Sequence, residues 1–404
     1  MTSLNNQTSP TFEPSTVSPP RATLPRSPPA PSLFDPIRMG AIQAPNRIFM
    51  APMTRARGTR EHLPTAFMAD YYAQRASAGL IISEAIGITQ QGLGWPYATG
   101  LWSMAQIAGW RVVTNAVHQA GGRIVAQLWH MGRAVHPSFT GGAPPVSASA
   151  TAAPDDAHTY EGKKPFVKAR ALRTDEIPQL LEDFRVSARN AMDAGFDGVQ
   201  IHAANGYLID QFLRDSSNHR DDGYGGTIGN RIRLLREVTR AVADTVGADR
   251  TGVRLSPNSE AQGVKDSNPL PLYLEAIAAL SSIGIAHLEL REPPTTGTFG
   301  VGDMPPLAPL LRQAFDGPVI LNADFDIERA QADLYAGVGD AVAFGRLFIA
   351  NSDLPERIAK NLPLEESNPS TWFTQGAEGY VDYPPVRPSP EQSLQQHAPR
   401  AELP

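Results

Sequence analysis

The sequence predicts a single (β/α)8 barrel, and three observations support this fold. Eight short runs rich in apolar and β-branched residues recur along the chain, and most are followed by a stretch whose apolar residues lie three and four positions apart. The runs are apolar almost throughout, as is typical of parallel strands buried on both faces. Eight parallel strands is also the number that closes a barrel. An open, doubly wound sheet is the competing fold, but such sheets usually carry a glycine-rich nucleotide loop, and the chain contains no GxGxxG.

The predicted strands and helices alternate in regular order. The strands span residues 47–52, 80–88, 123–130, 198–203, 251–256, 286–290, 318–322 and 340–344. The helices span residues 64–77, 105–120, 175–195, 230–247, 270–284, 305–315 and 326–338. Asp175 and Glu176 give one helix an acidic start, and Gly195, Gly247 and Gly284 lie where C-terminal caps are expected.

Three segments fall outside this alternation. Residues 137–172 are polar and irregular, so we predict an excursion over the barrel mouth with a small hairpin. Residues 1–31 are rich in Pro, Ser and Thr and bury too little apolar surface to offset the entropy of ordering, which predicts a disordered tail. Residues 385–404 repeat this composition more weakly and are predicted to form a C-terminal tail. The barrel domain is therefore expected to span residues 32–384.

Composition and charge exclude several classes of function. The formal charge is −6 and the basic residues are dispersed, which argues against binding to nucleic acid. No run reaches the roughly 18 apolar residues that span a bilayer, and no secretory signal is recognisable, so we expect a cytoplasmic protein without a membrane partner. Cysteine is absent, which excludes disulfides, thiol nucleophiles and thiolate-ligated metal centres. No metal site of another kind is predicted.

Polar residues close several of the predicted strands, at the end of a barrel where active sites form. The fourth strand is followed by His202, Asn205 and Tyr207. An imidazole and an amide can donate to one oxygen while a phenol supplies a proton. This set therefore suits polarisation of a carbonyl and protonation of its α-carbon. The structural alternative is a buried histidine, a turn asparagine before Gly206 and an aromatic residue at the rim.

Three other strand ends carry candidate binding groups. Arg254 closes the fifth strand, where burial is costly unless an anion or a carbonyl-rich ring faces it, or unless it pairs with a neighbouring strand. Gln127 on the third strand suits the edge of an amide-like ring, or an ordinary backbone contact. Gly345 and Arg346 follow the eighth strand, where barrels commonly bind phosphate, although a plain strand-to-helix turn looks the same.

Several motifs are more specific together than any one of them alone. They are LFDPIRMG and PNRIFMAPMTR within residues 33–55, QLWHMGR at 127–133, IHAANGYLIDQFL at 201–213, SSNHRDDGYGGTIGNRIRLL at 216–235, AFGRLFIANSDL at 343–354 and AEGYVDYP at 377–384. Through these motifs the chain resembles the old yellow enzymes, flavoprotein ene-reductases built on an FMN-containing (β/α)8 barrel. Thr54 stands where another branch of the family carries cysteine, so the resemblance is to the threonine-bearing branch.

The resemblance implies an enzyme that takes hydride from NAD(P)H onto FMN and reduces the activated C=C bond of α,β-unsaturated carbonyl and nitro compounds in a ping-pong cycle. The positions that match the family's FMN contacts are Pro52, Met53, Thr54, Ala85, Gln127, Arg254, Ala323, Asp324, Gly345 and Arg346. Those that match its substrate contacts are His202 and Asn205 for the activating oxygen, Tyr207 for the proton, and Trp95, Trp129 and Tyr380 for the pocket wall. Asp324 departs from the glycine that is usual there, and a carboxylate would repel a phosphate unless it pointed away.

The expected partners are small electron-poor alkenes, bound to a monomer or a homo-oligomer. Two other functions remain open. One is a flavin-free barrel isomerase or lyase acting on a phosphorylated substrate, although no lysine closes a predicted strand to form a Schiff base. The other is a non-catalytic flavin-binding redox protein, which would have no use for a proton donor such as Tyr207.

Overall fold

The predicted barrel is present in the computed structural model, which describes Met1, residues 31–297 and residues 301–385. Eight parallel strands close into one barrel, and strands that are consecutive along the chain are neighbours in the sheet. The strands are Ile48–Met50, Ile81–Gly87, Ile124–Trp129, Gly198–His202, Thr251–Leu255, His287–Arg291, Val319–Asn322 and Ala341–Phe344. All eight strand predictions are confirmed, with boundaries that differ by a few residues.

Helices follow the strands and cover the outside of the barrel. The longer ones are Ala66–Gln74, Met104–Gln119, Ile177–Asp193, Arg233–Val246, Pro269–Ile283 and Ile327–Tyr335. The shorter ones are Leu208–Leu213, Ile228–Arg231, Ala308–Leu311, Arg346–Ala350 and Leu354–Ala359. The helix predicted over 305–315 shrinks to its central turn, while the other six predicted helices are present. Gly284 ends one of them in the left-handed conformation, with φ of 76°, as its sequence position suggested.

A short antiparallel hairpin closes the amino-terminal end of the barrel. Its strands are Ile37–Met39 and Ile42–Ala44. Met39 and Ile42 are buried together with inward-facing barrel residues such as Phe49 and Val125. The backbone N–H of Ala41 donates to the carbonyl oxygen of Asp249 at 2.8 Å. The barrel is therefore a filled core at this end.

The carboxyl end of the barrel is covered by an excursion and by the C-terminal segment. Within the segment predicted as irregular, Asp156–Thr159 and Gly162–Pro165 pair as an antiparallel hairpin, as predicted. The C-terminal segment is tied to the loop after the first barrel strand by two buried arginines. Arg55 donates from Nε to the carbonyl oxygen of Trp372 at 3.0 Å, and Arg57 donates from Nη2 to that of Thr371 at 2.9 Å. These contacts hold an aromatic segment over the barrel mouth.

The two predicted tails lie almost wholly outside the described residues, so the tail and domain boundaries stay predictions.

Gly40 offers a test of the closed amino-terminal end. Its φ is +61°, and an added Cβ would lie 2.1 Å from the carbonyl oxygen of Asp249. Gly141 is a matched control, because its φ is +64° but nothing lies within 4 Å of the same added atom. We expect Gly141→Ala to lower the free energy of unfolding by about 1 kcal/mol through backbone strain. Gly40→Ala should lower the free energy of unfolding by ~1–3 kcal/mol more than Gly141→Ala does, because of the clash. Chemical denaturation measures both losses. Equal losses in the two variants would contradict the packing of the hairpin against the barrel.

Candidate active site

A cavity of about 520 Å³ opens at the carboxyl end of the barrel. Fifteen of the sixteen site residues predicted from the sequence line it. They are Pro52, Met53, Thr54, Ala85, Trp95, Gln127, Trp129, His202, Asn205, Tyr207, Arg254, Ala323, Asp324, Gly345 and Arg346. They come from seven of the eight strand ends and their loops, so parallel strand order gathers at one place residues that are separated by up to three hundred positions in the chain.

The prediction for Tyr380 needs correction. Its side chain is fully buried and stacks on the ring of Tyr71 with the centroids 4.0 Å apart. The guanidinium of Arg57 lies 4.7 Å from its ring centroid. Tyr380 is therefore part of the packing that anchors the C-terminal segment, and it is absent from the described cavity lining. Trp372 and Phe373 of the same segment line the cavity in its place.

His202, Asn205 and Tyr207 converge on the cavity. The rings of His202 and Tyr207 meet edge to face with centroids 5.0 Å apart, and Tyr207 packs in the same way against Trp129 at 4.9 Å. His202 Nδ1 and Asn205 Oδ1 are buried and have no hydrogen-bond partner among the described residues. Buried polar atoms are rarely left unpaired. The two atoms therefore mark places where a bound molecule or water completes the bonding.

The loop that carries these three residues is held by a buried carboxylate. Asp210 accepts a hydrogen bond from the backbone N–H of Gly206 at 2.8 Å and pairs with Arg214 Nε at 2.9 Å. The backbone N–H of Asn205 donates to Ser256 Oγ at 2.8 Å. Asn205 has φ of +58°, a left-handed conformation that asparagine tolerates better than most residues. These bonds hold the fourth strand end and fix where its side chains point.

The electrostatics of the site keep His202 and Tyr207 uncharged near neutral pH. Burial, reinforced by Arg254 and Arg291, holds the pKa of His202 well below its ordinary value of 6.5. Burial also raises the pKa of Tyr207 to about 12, against the opposing effect of the two arginines. His202 is therefore a neutral imidazole with one N–H to donate, and Tyr207 is a protonated phenol.

Arg254 and Gln127 lie below this set, inside the barrel. Arg254 Nε lies 3.3 Å from Glu289 Oε1 on the neighbouring sixth strand, and its Nη2 donates to Asn322 Oδ1 at 2.6 Å. Gln127 Nε2 donates to Gln200 Oε1 at 2.7 Å. The sequence leaves two interpretations of Arg254 open: an ion pair with a neighbouring strand, or a position that faces a ligand. The structure has both, because the side chain lies between Glu289 and the cavity.

The ends of the seventh and eighth strands give the cavity the character of an anion site. Ala323 and Asp324 both have positive φ, of 104° and 48°, and they turn the chain at the end of the seventh strand. Asp324 forms an ion pair with Arg346. The carboxylate of Asp324, which alone would repel a phosphate, thus has a cationic partner. Arg346 also opens the short helix Arg346–Ala350 after Gly345.

Several lining residues were missed by the sequence analysis. They are Ala51, Arg55, Ala261, Gln262, Arg291, Asn322, Ile349, Trp372 and Phe373. Arg291 had a signal, because it closes the sixth predicted strand one residue beyond its assigned end and strand ends build barrel sites. Burial and the neighbouring Arg254 lower its pKa to about 10. Trp372 and Phe373 had no such signal, since they lie on no strand.

The residues fit FMN in charge and in donor type. An isoalloxazine ring needs polar partners along its pyrimidine edge, and Gln127 with Arg254 provide amide and guanidinium groups on one side of the cavity. A phosphate needs a cation and backbone N–H groups, and Gly345 with Arg346 provide them at a strand-to-helix turn. The cavity is also concave and lined by both apolar and convergent polar groups, as cofactor sites are. Fold and cavity together define a flavin-dependent barrel oxidoreductase.

Comparisons with known proteins agree with this class. Residues 32–365 match the model of the NADH:flavin oxidoreductase / NADH oxidase family. The solved structure of the old yellow enzyme homologue from Zymomonas mobilis is 59% identical, with a TM-score of 0.87 over 88% of this chain and 99% of that one. Morphinone reductase is 44% identical, with a TM-score of 0.84 over 88% and 97%. Chanoclavine-I aldehyde reductase of Penicillium roqueforti is 42% identical over 87% of this chain and 95% of its own length.

The chain belongs to the old yellow enzyme family of NADH:flavin oxidoreductases. It is an FMN-dependent enzyme that uses NAD(P)H to reduce activated alkenes. In the described part of the chain, no helix is both long enough and apolar enough to cross a membrane.

His202 gives this site a pH signature. Because its native pKa is depressed, the unfolded chain takes up a proton that the native chain refuses as the pH falls below 6.5. The contribution of His202 to stability is therefore present above that pH and is lost below it. His202→Gln lacks this titratable group, so it should not lose that stability. When the pH is lowered from 8 to 5, we expect the unfolding free energy of the variant minus that of wild type to increase by about 2 kcal/mol.

The measurement is denaturant unfolding of both FMN-loaded proteins at the two pH values. The difference at pH 8, where an imidazole of ordinary pKa is neutral, reports packing alone. If the difference in unfolding free energy between variant and wild type were the same at pH 5 as at pH 8, His202 would be protonated in the native protein at pH 5.

Proposed function

We propose that His202 and Asn205 together hold the oxygen of an electron-withdrawing group on the alkene, and that Tyr207 donates the proton to its α-carbon. The observation that carries this proposal is the convergence of the three side chains on one cavity, with a buried His202 Nδ1 that lacks a partner among the described residues. When bound, FMN supplies hydride from N5 after reduction by NAD(P)H. The residues of the chain supply the polarisation and the proton.

The charge states of these residues support the roles. A neutral imidazole and an amide each donate one hydrogen bond to the carbonyl or nitro oxygen, which withdraws electrons from the β-carbon. Tyr207 retains its proton because its pKa is about 12, so it can deliver that proton only to a strongly basic carbon. Proton transfer is thereby tied to the polarised state of the substrate.

The proposed substrates are small electron-poor alkenes activated by a carbonyl or a nitro group. The cavity wall above the polar set is aromatic, and its rings come from Trp95, Trp129, Trp372 and Phe373. Such walls favour flat, apolar molecules with one strong acceptor. The nicotinamide is proposed to occupy the same place first, which gives ping-pong kinetics. A cytoplasmic location also stays a proposal, made from the sequence.

The two other functions considered for this sequence are less favoured. An isomerase or lyase acting on a phosphorylated substrate would use the phosphate turn at Gly345 and Arg346 but would leave the presence of both Gln127 and Arg254 in the cavity unexplained. A redox protein without catalysis would have no need for Tyr207 beside His202. The redox protein accounts for the cofactor residues but leaves Tyr207 without a role.

A spectroscopic experiment tests the whole proposal. The purified protein should be yellow, should bleach anaerobically with NADH or NADPH, and should regain its colour on addition of 2-cyclohexenone or maleimide. Stopped-flow absorbance follows both half-reactions separately. A colourless protein that remains inactive after FMN is added would refute the proposal.

The variant Tyr207→Phe tests the proton donor. Bleaching by the nicotinamide should remain within about twofold of wild type, while reoxidation by a weakly activated enone should slow by roughly a hundredfold, the usual scale for loss of a general acid. Tyr97→Phe is the control, because Tyr97 is partly exposed and is not among the described residues that line the cavity. Equal slowing of both half-reactions in Tyr207→Phe would contradict the assigned role.

A further inference from the structure

A buried chain of polar side chains runs across the barrel beneath the candidate flavin site. Gln127 Nε2 donates to Gln200 Oε1 at 2.7 Å, and Gln200 Nε2 donates to Glu289 Oε2 at 2.9 Å. The other oxygen of Glu289 lies 3.3 Å from Arg254 Nε. The two ends of the chain, Gln127 and Arg254, both line the cavity, whereas Gln200 and Glu289 lie below it and are fully buried.

The carboxylate gives this chain a direction. A carboxylate can only accept hydrogen bonds, whereas an amide can present either its oxygen or its nitrogen. Glu289 therefore requires the NH2 group of Gln200, which turns the oxygen of Gln200 toward Gln127. Gln127 must then present its own NH2 group to Gln200, and its Oε1 is directed away from Gln200. Glu289 thus decides, through one intermediate amide, which polar atom Gln127 offers to a ligand in the cavity.

Glu289 also balances charge. Burial raises the pKa of Glu289 above its ordinary value despite the opposing effect of Arg254. We take the group as ionised because a neutral acid would leave a buried guanidinium without its counter-charge. The other charged group near it is Arg291 on the same strand. His287 lies 3.5 Å from Gln200 Nε2, and burial lowers its pKa to about 4, so it adds no charge at neutral pH.

We propose that Glu289 is a positioning residue with two effects on bound FMN: it partly compensates the charge of Arg254 and so sets the redox potential, and it fixes the amide orientation of Gln127 and so contributes to FMN affinity. The inference rests on the proposed placement of the flavin pyrimidine edge at these two residues. Arg254 stabilises negative charge on the reduced flavin, and Glu289 opposes that stabilisation from below. Removing the carboxylate charge should therefore favour the reduced cofactor.

The direct test is the two-electron midpoint potential of FMN in Glu289→Gln, measured by anaerobic dye-coupled titration of the holoenzyme. We expect the ratio of reduced to oxidised FMN at a fixed potential to rise about tenfold, which is an upward shift of about 30 mV for a two-electron couple. Glu289→Asp retains the charge and should stay within about twofold of wild type. An unchanged or lowered potential in Glu289→Gln, or a tenfold rise in Glu289→Asp, would overturn the inference.

Glu292→Gln is the matched control. Glu292 is a buried glutamate three residues further along, and its carboxylate accepts from the backbone N–H groups of Leu307 and Ala308 at 2.8 Å each. It is not among the described residues that line the cavity. Its variant should lose stability through loss of these bonds but should keep the wild-type potential. An equal shift in both variants would show that general loosening of the barrel, rather than the charge of Glu289, moves the potential.

Gln200→Met separates orientation from charge, because it breaks the amide chain and leaves the ion pair of Glu289 with Arg254. We expect weaker FMN binding by about tenfold, from fluorescence titration, with little change in potential. Unaltered FMN affinity would overturn the orienting role.

If Glu289→Gln does not fold, the infrared difference spectrum between oxidised and reduced wild-type protein, with isotope-labelled glutamate, decides the matter. A perturbed carboxylate band supports the inference, and its absence overturns it.

These outcomes are distinguishable from failure of the proposed function. A wild-type protein that does not bind FMN or is not bleached by NAD(P)H would refute the proposed function itself. A yellow, active Glu289→Gln protein with an unshifted potential would refute only the role of Glu289.

Discussion

The closed parallel register of the barrel is the constraint on which the site depends. Parallel pairing places Gln127 beside Gln200, and Arg254 beside Glu289, with side chains that alternate between the inside and the outside of the sheet. A shift of one residue in any strand would turn its inward polar groups toward the helices. The hairpin that packs Met39 at the amino-terminal end fills the core there. The polar layer therefore lies at the carboxyl end, where a ligand can complete it.

Within that frame, two buried ion pairs support the site. Asp210 with Arg214 fixes the loop that presents Asn205, and Glu289 with Arg254 fixes the floor of the cavity. A buried ion pair contributes little net stability, but loss of one partner is costly. Such pairs therefore act here mainly to define geometry. The same environment keeps His202 neutral, which matches a role as hydrogen-bond donor to a neutral substrate rather than as a cation.

Local sequence signals predicted most of the fold and much of the site. The strands were found because they are apolar on both faces, and strand ends such as His202 and Arg254 stood out as polar residues closing apolar runs. The failures have physical causes. Tyr380 matched a family motif, yet its ring is stacked on Tyr71. Trp372 and Phe373 reach the cavity because Arg55 and Arg57 bind backbone carbonyls of their segment, and such contacts leave no periodic pattern.

The sequence by itself determined the fold class, the strand ends that carry chemistry and, through its motifs, the expected family, because hydrophobic periodicity and motif identity are properties of neighbouring residues. Only the tertiary structure decided which polar residues face one another across the barrel. The pairing of Asp324 with Arg346, the position of Arg291 in the cavity and the chain from Gln127 to Glu289 join residues far apart in sequence. Strand register and barrel closure set these contacts, and neither is encoded in any local segment.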